Sequence, residues 1–405
     1  MKLFDSSASK SPNGILWLLC AAAALIFFQT YMIAPLIPRL SVVFGVSEQR
    51  IGLIVPAYMI AYGVSILFYG WLSDRVGRTR IILISLLAFV LLTALTAAVQ
   101  SATQLVLLRL LTGLGASGVI PMSLALVGDL YPHDQRGKPL GMLFASMEGG
   151  MALGSTTGVI LEPFTGWRML FLGTALLAAL VLWLQYTYLD RSTRSSGASS
   201  ASILQAFSGF RSLLSTARGA RTYGYVFWNG IFHSGIYTWL GVYFSQRYGL
   251  GEVGIGLAIL GYGVPGLVLG SMIGRAADKW GRYRILVPGL GIAALAAALM
   301  ATNVSLIMAA VAVTLISLGY DLTQPLFAGI VTELGGKKQG GQAMGLNVFA
   351  LFTGFGLGSL FFGEIMRLGF NTALLIFTGI QIAVTLAAIP LFKTESSKTV
   401  VDRDS

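Results

Sequence analysis

Three ionisable side chains lie inside long apolar runs of this 405-residue sequence: Arg109, Glu148 and Asp321. Within lipid such a group costs roughly 2.5–3.5 kcal/mol on insertion scales, so each needs a reason to be there. The chemistry open to them is proton carriage by the two carboxyls and charge compensation by an arginine that stays protonated. Asp321 belongs to a polar stripe, since Thr314, Ser317, Asp321 and Gln324 recur at i, i+3, i+7 and i+10. Such a stripe on an apolar helix suits a face turned to water or substrate; the plainer reading is that Asp321 hydrogen-bonds within a helix bundle. By helical-wheel angle Glu148 points away from Gly150, Gly154 and Gly158, leaving those glycines to pack on a neighbour while the carboxyl and Ser155 face inward. Glu148 could then carry a proton, stand in a fixed ion pair with Arg109, or form a pair that breaks on protonation.

Other polar and aromatic side chains could line a site with them. Arg109, Thr112, Gly113 and Ala116 share one helix face, and Gln29 is the strongly polar residue in the middle of its run. Tyr225, Asn229 and His233 stand at i, i+4 and i+8; a lone histidine in such a run is more often a hydrogen-bonded core residue than a proton relay. Tyr58, Tyr62 and Tyr262 are amphipathic wall material for an aromatic or cationic guest, or ordinary helix packing.

The elements that must position these residues follow from composition. Hydrophobic residues make up 55% of the chain, charged residues 11%, and the mean hydropathy is +0.78, outside the soluble range. Spanning a bilayer takes about 20 apolar residues in a helix, because lipid offers no partner to free backbone groups. Twelve such runs are present, near 14–37, 50–72, 80–99, 104–127, 138–160, 168–189, 222–246, 252–273, 284–301, 304–327, 340–362 and 370–392. The expected fold is an all-α membrane protein of twelve transmembrane helices in two six-helix bundles, 14–189 and 222–392. A tail at 1–13, a serine-rich linker at 190–221 and a tail at 393–405 complete it. Within the linker, Ile203, Phe207, Phe210 and Leu214 suggest a short helix lying on the membrane surface.

The net charge of +11 is a topology signal rather than a nucleic-acid site. Of 27 Lys and Arg, 21 fall in loops on one side, five (Arg39, Arg50, Arg168, Arg247, Arg367) on the other, and Arg109 within a span. That asymmetry puts both termini in the cytoplasm. Cys20 is the single cysteine, so neither a disulfide framework nor a metal cluster is expected. The first run is too long for a signal peptide and reads as a retained span.

The halves repeat. GWLSDRVGRTR, Gly70 to Arg80, and GRAADKWGRYR, Gly274 to Arg284, align at a constant offset of 204 residues, matching Gly70/Gly274, Asp74/Asp278, Arg75/Lys279, Gly77/Gly281, Arg78/Arg282 and Arg80/Arg284. The offset continues through Pro121/Pro325, Asp129/Glu333, Gly150/Gly354, Gly154/Gly358 and Ser155/Ser359. Duplicating an even number of spans gives two halves of the same orientation about an axis along the membrane normal.

These features resemble the major facilitator superfamily: twelve spans in two halves, a central linker, and the Gly70–Arg80 loop. The RLLTGLGASG stretch around Arg109, the DLYP run at Asp129–Pro132 with Arg136 and Gly137, and Gly166–Arg168 are similar to its twelve-segment drug:proton antiporters. The sequence departs from their pattern at Thr112, where glutamine is usual, and has no Gly-Pro pair in the fifth span. The resemblance implies a cavity lined by spans one, four, seven and ten. It also implies a loop in which Asp74 and Arg78 tie neighbouring helices on the cytoplasmic face. On this reading Gly70, Asp74, Arg75, Gly77, Arg78, Arg80, Gly274, Asp278 and Arg282 form gate latches, anchored by Asp129 and Glu333.

The expected function is secondary transport by alternating access: proton-coupled efflux of a small organic compound or drug, driven by the proton gradient without a cofactor. No P-loop is present for ATP, and no enzyme activity is expected. Partners are the substrate, protons and the lipid bilayer, with the chain acting as a monomer and no nucleic acid involved. The alternatives are uptake or facilitated diffusion of a sugar or other polar metabolite, and a non-transporting membrane sensor. A sensor would need a signalling extension, for which Lys393–Ser405 offers little.

Overall fold

The computed structural model describes residues 12–132, 135–188 and 203–395. Among the described residues the helices group into twelve spans. They are α1 (Pro12–Phe44), α2 (Ile54–Val76, led by the short helix Glu48–Gly52), α3 (Arg78–Thr96), α4 (Ala102–Leu130), α5 (Gly137–Thr165) and α6 (Trp167–Tyr188) in the first half. The second half holds α7 (217–248), α8 (252–280), α9 (Tyr283–Ala301), α10 (Leu306–Gly336), α11 (Gln339–Leu368) and α12 (Phe370–Leu391). Among the described residues, nine of these are long and apolar enough to cross a membrane by length and composition. The other three, α5, α7 and α8, are the more polar spans that carry Glu148, Asn229 and His233, and the break described below.

The linker helix forms at Ile203–Leu214, and α7 begins at Ala217, inside the interval read as linker. Its start is capped by Thr216, whose hydroxyl accepts the Gly219 N–H at 3.0 Å. The tail at 1–11, the linker at 189–202 and the tail at 396–405 lie outside the described residues.

Among the described residues five helices carry a break, and four of these breaks fall in pairs that keep the offset of the sequence repeat to within a residue. In α1 a 3₁₀ turn at Ala34–Leu36 bends the chain before Ile37–Phe44, where Pro35 removes a backbone donor. The α7 helix breaks at Trp239, the position 204 residues on. A break between Ala116 and Val119 in α4 matches one at Leu322–Thr323 in α10. One break has no counterpart: α8 opens between Ala258 and Val264, where Gly263 takes φ +84. The helical run Gln324–Ile365 is two spans, separated where Gly336 (φ 51, ψ −154) and Gln339 leave helical geometry.

Small residues let the helices of each half approach to backbone contact, as lipid-embedded bundles require. Gly150 and Gly154 pack on the backbone of Ala24 and Phe28 in α1, and Gly158 on Met32. Their repeats Gly354 and Gly358 pack on Phe227 and Ile231 of α7. The perimeter is apolar: Leu87, Leu91 and Leu95 form an exposed stripe on α3, and Leu375, Ile382 and Leu386 another on α12. In a bilayer these stripes face acyl chains.

The loop read as a latch has a demanding backbone. Gly77 and Gly281 stand at (φ, ψ) of (94, 140) and (84, 147), where any side chain would clash. Gly77 ends one helix and starts the next within a single residue, and Gly281 with Arg282 does so within two, so the two glycines of the repeat are explained by conformation alone.

Candidate functional site

Where the halves meet, one carboxyl from each comes to the interface. Glu148 of α5 is half-buried, and its Oε2 has no hydrogen-bond partner. Asp321 of α10 is buried, accepts the Ser317 hydroxyl at 3.5 Å, and takes the N–H of Gly266 across from α8. The two are near enough for their charges to interact. The break in α8 builds the Asp321 side. It turns the Gly263 N–H onto Ser317 Oγ at 2.9 Å, brings Gly261 against Thr314, and lays Gly263 on Ala152 of α5. The polar stripe of α10 therefore receives backbone donors that an unbroken α8 would have kept for itself.

Aromatic rings surround the two carboxyls. Tyr237 of α7 donates its hydroxyl to the Tyr31 carbonyl of α1 at 2.8 Å, crossing the halves, and its ring meets those of Tyr31 and Tyr262 at 5.3 and 4.5 Å. His233 is buried, with neither ring nitrogen hydrogen-bonded; its edge contacts Tyr320 at 5.2 Å, so the expected hydrogen-bonded core histidine is not what the geometry shows.

Arg109 stands apart. It is fully buried against α1 and α2, donating from Nη1 to Gln29 Oε1 at 2.7 Å and from Nε to the Ile54 carbonyl at 3.4 Å. Its guanidinium lies 4.1 Å from the Tyr58 ring centre. The fixed Arg109–Glu148 pair weighed from sequence is not present; Gln29 occupies that place. Thr112 donates to Leu108 of its own helix, while Gly113 takes the backbone of Tyr58 against it.

The remaining expected wall residues divide. Tyr62 stacks on Phe352 of α11 at 4.4 Å, joining the halves. Asn229 donates to Gln324 at 3.1 Å and accepts from Thr323 at 3.3 Å, closing a buried amide network between α7 and α10. Tyr225 lies elsewhere: its hydroxyl donates to Val384 and its ring packs on Phe392, so it joins α7 to α12 and does not meet the central cluster.

On the face bearing the basic loops, Arg78 pairs with Asp129 and donates to the Ala125 carbonyl at 3.0 Å. The repeat reproduces this: Arg282 pairs with Glu333 at 2.7 Å, and Arg218 joins Glu333 at 2.7 Å. Each of these pairs stays within one half. Arg80, Gly274 and Asp278 are exposed, Arg75 is exposed in the last turn of α2, and the burial of Gly70 and the side chain of Asp74 lie outside the described set.

The halves are joined near the opposite face. Arg39 contacts Glu162 of its own half at 3.1 Å and Glu252 of the other at 3.8 Å, and Gln246 donates to Glu48 at 2.8 Å. Trp239 is buried between Gly52 of α2 and Gly363 of α11, and donates to the Ser359 carbonyl at 3.0 Å. Gly256 meets Val159 and Ile160, and Gly356 meets Ile60. Toward the basic face, Gly137, Gly141, Gly270, Gly274, Gly341 and Gly345 have open space where a Cβ would point.

Arg39, Tyr31, Tyr237, Trp239 and Gly263 take part without having been singled out beforehand. Arg39 registered in the sequence as a loop charge, and the offset that pairs Glu48 with Glu252 was the signal that this loop, too, repeats.

Comparison with known proteins agrees with this architecture. The profile of the Major Facilitator Superfamily matches residues 19–350 and 250–405. The chain is 29% identical over 276 residues to an uncharacterized MFS-type transporter, YceJ of Bacillus subtilis (strain 168), covering 68% of this chain and 70% of that one. It is 26% identical over 280 residues to the chloramphenicol resistance protein of Pseudomonas aeruginosa, 67% and 64% of the two chains. The crystal structure of a D-xylose-proton symporter superposes with a TM-score of 0.77 at 19% identity, over 94% of this chain and 97% of that one. The protein is a multi-pass membrane transporter, not an enzyme, and the chain belongs to the Major Facilitator Superfamily.

Proposed function

We propose that this transporter exports a small, partly apolar organic molecule in exchange for protons, with Glu148 and Asp321 as the proton carriers. The observation that carries the reading is their placement: one carboxyl per half, near enough for their charges to interact, and neither ion-paired among the described residues. Two negative charges across an interior interface repel by on the order of a kcal/mol or more, and a proton on either removes that repulsion. Protonation then favours one arrangement of the halves over the other, which is the coupling an exchanger needs. Tyr31, Tyr237, Tyr262 and Tyr320 supply a wall for an aromatic or apolar guest, with His233 and the Asn229–Gln324 pair below it. The similarity to a chloramphenicol resistance protein supports export of drug-like compounds.

In this reading the basic face is cytoplasmic, with both termini on that side and the chain working as a monomer. The pairs Arg78–Asp129 and Arg282–Glu333 hold each half rigid around its Gly77 or Gly281 turn, so the halves rock as units. Asp74, Arg75 and Arg80 complete the latch on that face. The test is proton movement in proteoliposomes on addition of chloramphenicol and a panel of related compounds, for wild type, Glu148→Gln and Asp321→Asn. Loss of substrate-driven pH change in the variants is expected; wild-type coupling in both would refute the assignment.

A further inference from the structure

We infer that Arg109 and Gln29 form a binding site for an anion, the carboxylate of an organic acid. This goes beyond proton exchange and names a chemical class of guest for the same transporter. Arg109 brings a full positive charge to a position with no solvent exposure, and none of the described carboxylates is ion-paired with it. Gln29 gives it a neutral partner only. Both side chains also keep a buried donor without an acceptor, Arg109 Nη2 and Gln29 Nε2. The hydrogen bond that Gln29 Oε1 accepts from Nη1 at 2.7 Å turns the amide oxygen to the guanidinium and leaves the N–H₂ group of the same amide to find another acceptor. Two donors of one buried, positively charged cluster call for one acceptor that carries negative charge.

The surroundings favour a carboxylate. Guanidinium presents parallel N–H groups matched to a planar two-oxygen acceptor, and because its face lies on the Tyr58 ring, its N–H edge is the part left to meet one. The cluster lies between α1, α2 and α4, wholly within the first half. The Glu148 and Asp321 carboxyls lie at the interface, so an anion on Arg109 and protons on the carboxyls occupy separate places. An inorganic anion such as chloride would satisfy the same donors, and the experiment separates the two sources.

The decisive variant is Gln29→Glu, which places a permanent carboxylate on the guanidinium at nearly constant shape. In detergent, wild type should bind benzoate about ten-fold or more tightly than benzamide, as expected for loss of a charge-assisted hydrogen bond, read by calorimetry. Gln29→Glu should abolish benzoate binding and raise the melting temperature of the unliganded protein. Arg109→Lys, which keeps the charge but not the fork, should weaken benzoate binding while staying folded. Stabilisation by benzoate at constant chloride identifies the organic acid; equal stabilisation by chloride, against the same buffer without added salt, identifies an inorganic anion at the same site. Equal affinity for benzoate and benzamide, or undiminished benzoate binding by Gln29→Glu, would overturn the proposal. None of these readouts needs proton coupling, so failure here and failure of the Glu148 and Asp321 assignment are distinguishable.

Discussion

Gly52→Ala should push this transporter out of the arrangement seen here, because the added methyl group would enter the space held by the Trp239 ring. Gly52 is buried at the end of the short helix Glu48–Gly52 in one half, and Trp239 belongs to the other. Two effects compete. Alanine favours a helix over glycine by about 1 kcal/mol, but that gain is present in every arrangement of the halves. Overpacking a close contact costs about 1–3 kcal/mol, and that cost exists only where Gly52 and Trp239 touch. The balance between arrangements should therefore shift by about 5- to 150-fold toward separation at this face, with little loss of overall stability. The Trp239–Ser359 hydrogen bond lies within one half and does not offset the shift. The assay is the rate at which a membrane-impermeant thiol reagent labels Val159→Cys, whose native side chain meets Gly256 across the halves, in a Cys20→Ser background. Adding Trp239→Ala should erase the effect of Gly52→Ala. An unchanged labelling rate, or an effect that survives in the Trp239→Ala background, would refute the reasoning.

The turn glycines offer a second test: Gly77→Ala and Gly281→Ala should each cost about 1–3 kcal/mol, seen as a lower melting temperature, while Gly141→Ala, with open space and ordinary helical backbone, should not. A third concerns the clamp that ties the end of α12 to the start of α7. Glu395 accepts from Arg218 at 2.7 Å and from Arg221 at 2.6 Å. Burial pushes this carboxyl up, but the Arg218 hydrogen bonds and the two guanidinium charges outweigh it and hold it below the ordinary range. A carboxyl lowered by folding stabilises the protein above its unfolded value and loses that contribution as pH falls through its lowered one. Glu395→Gln should thus melt lower than wild type at neutral pH, and the difference should close on acidification through the carboxylate range; a constant difference would exclude the ionic contribution.

The repeat was legible along the chain because its most demanding points are local. A helix ending at a backbone angle open only to glycine leaves glycine there, and Gly77 and Gly281 record this at a fixed spacing without reference to any neighbour. The same holds for Gly150, Gly154 and Gly158, whose periodicity alone says that something packs closely on them. Apolar runs, charge asymmetry and the offset together determined twelve spans in two halves. The partners of the charged groups were a different matter. Glu148 was the companion weighed for Arg109, and only the packing of α1 on α2 and α4 put Gln29 there instead. The break in α8, which has no counterpart in α2, was equally invisible, yet it gives Asp321 its backbone donor and lays α8 on α5. Spacing along one helix says which side chains share a face; which face meets which is decided by the energy of the whole packed interface, and that exists only once the helices have assembled.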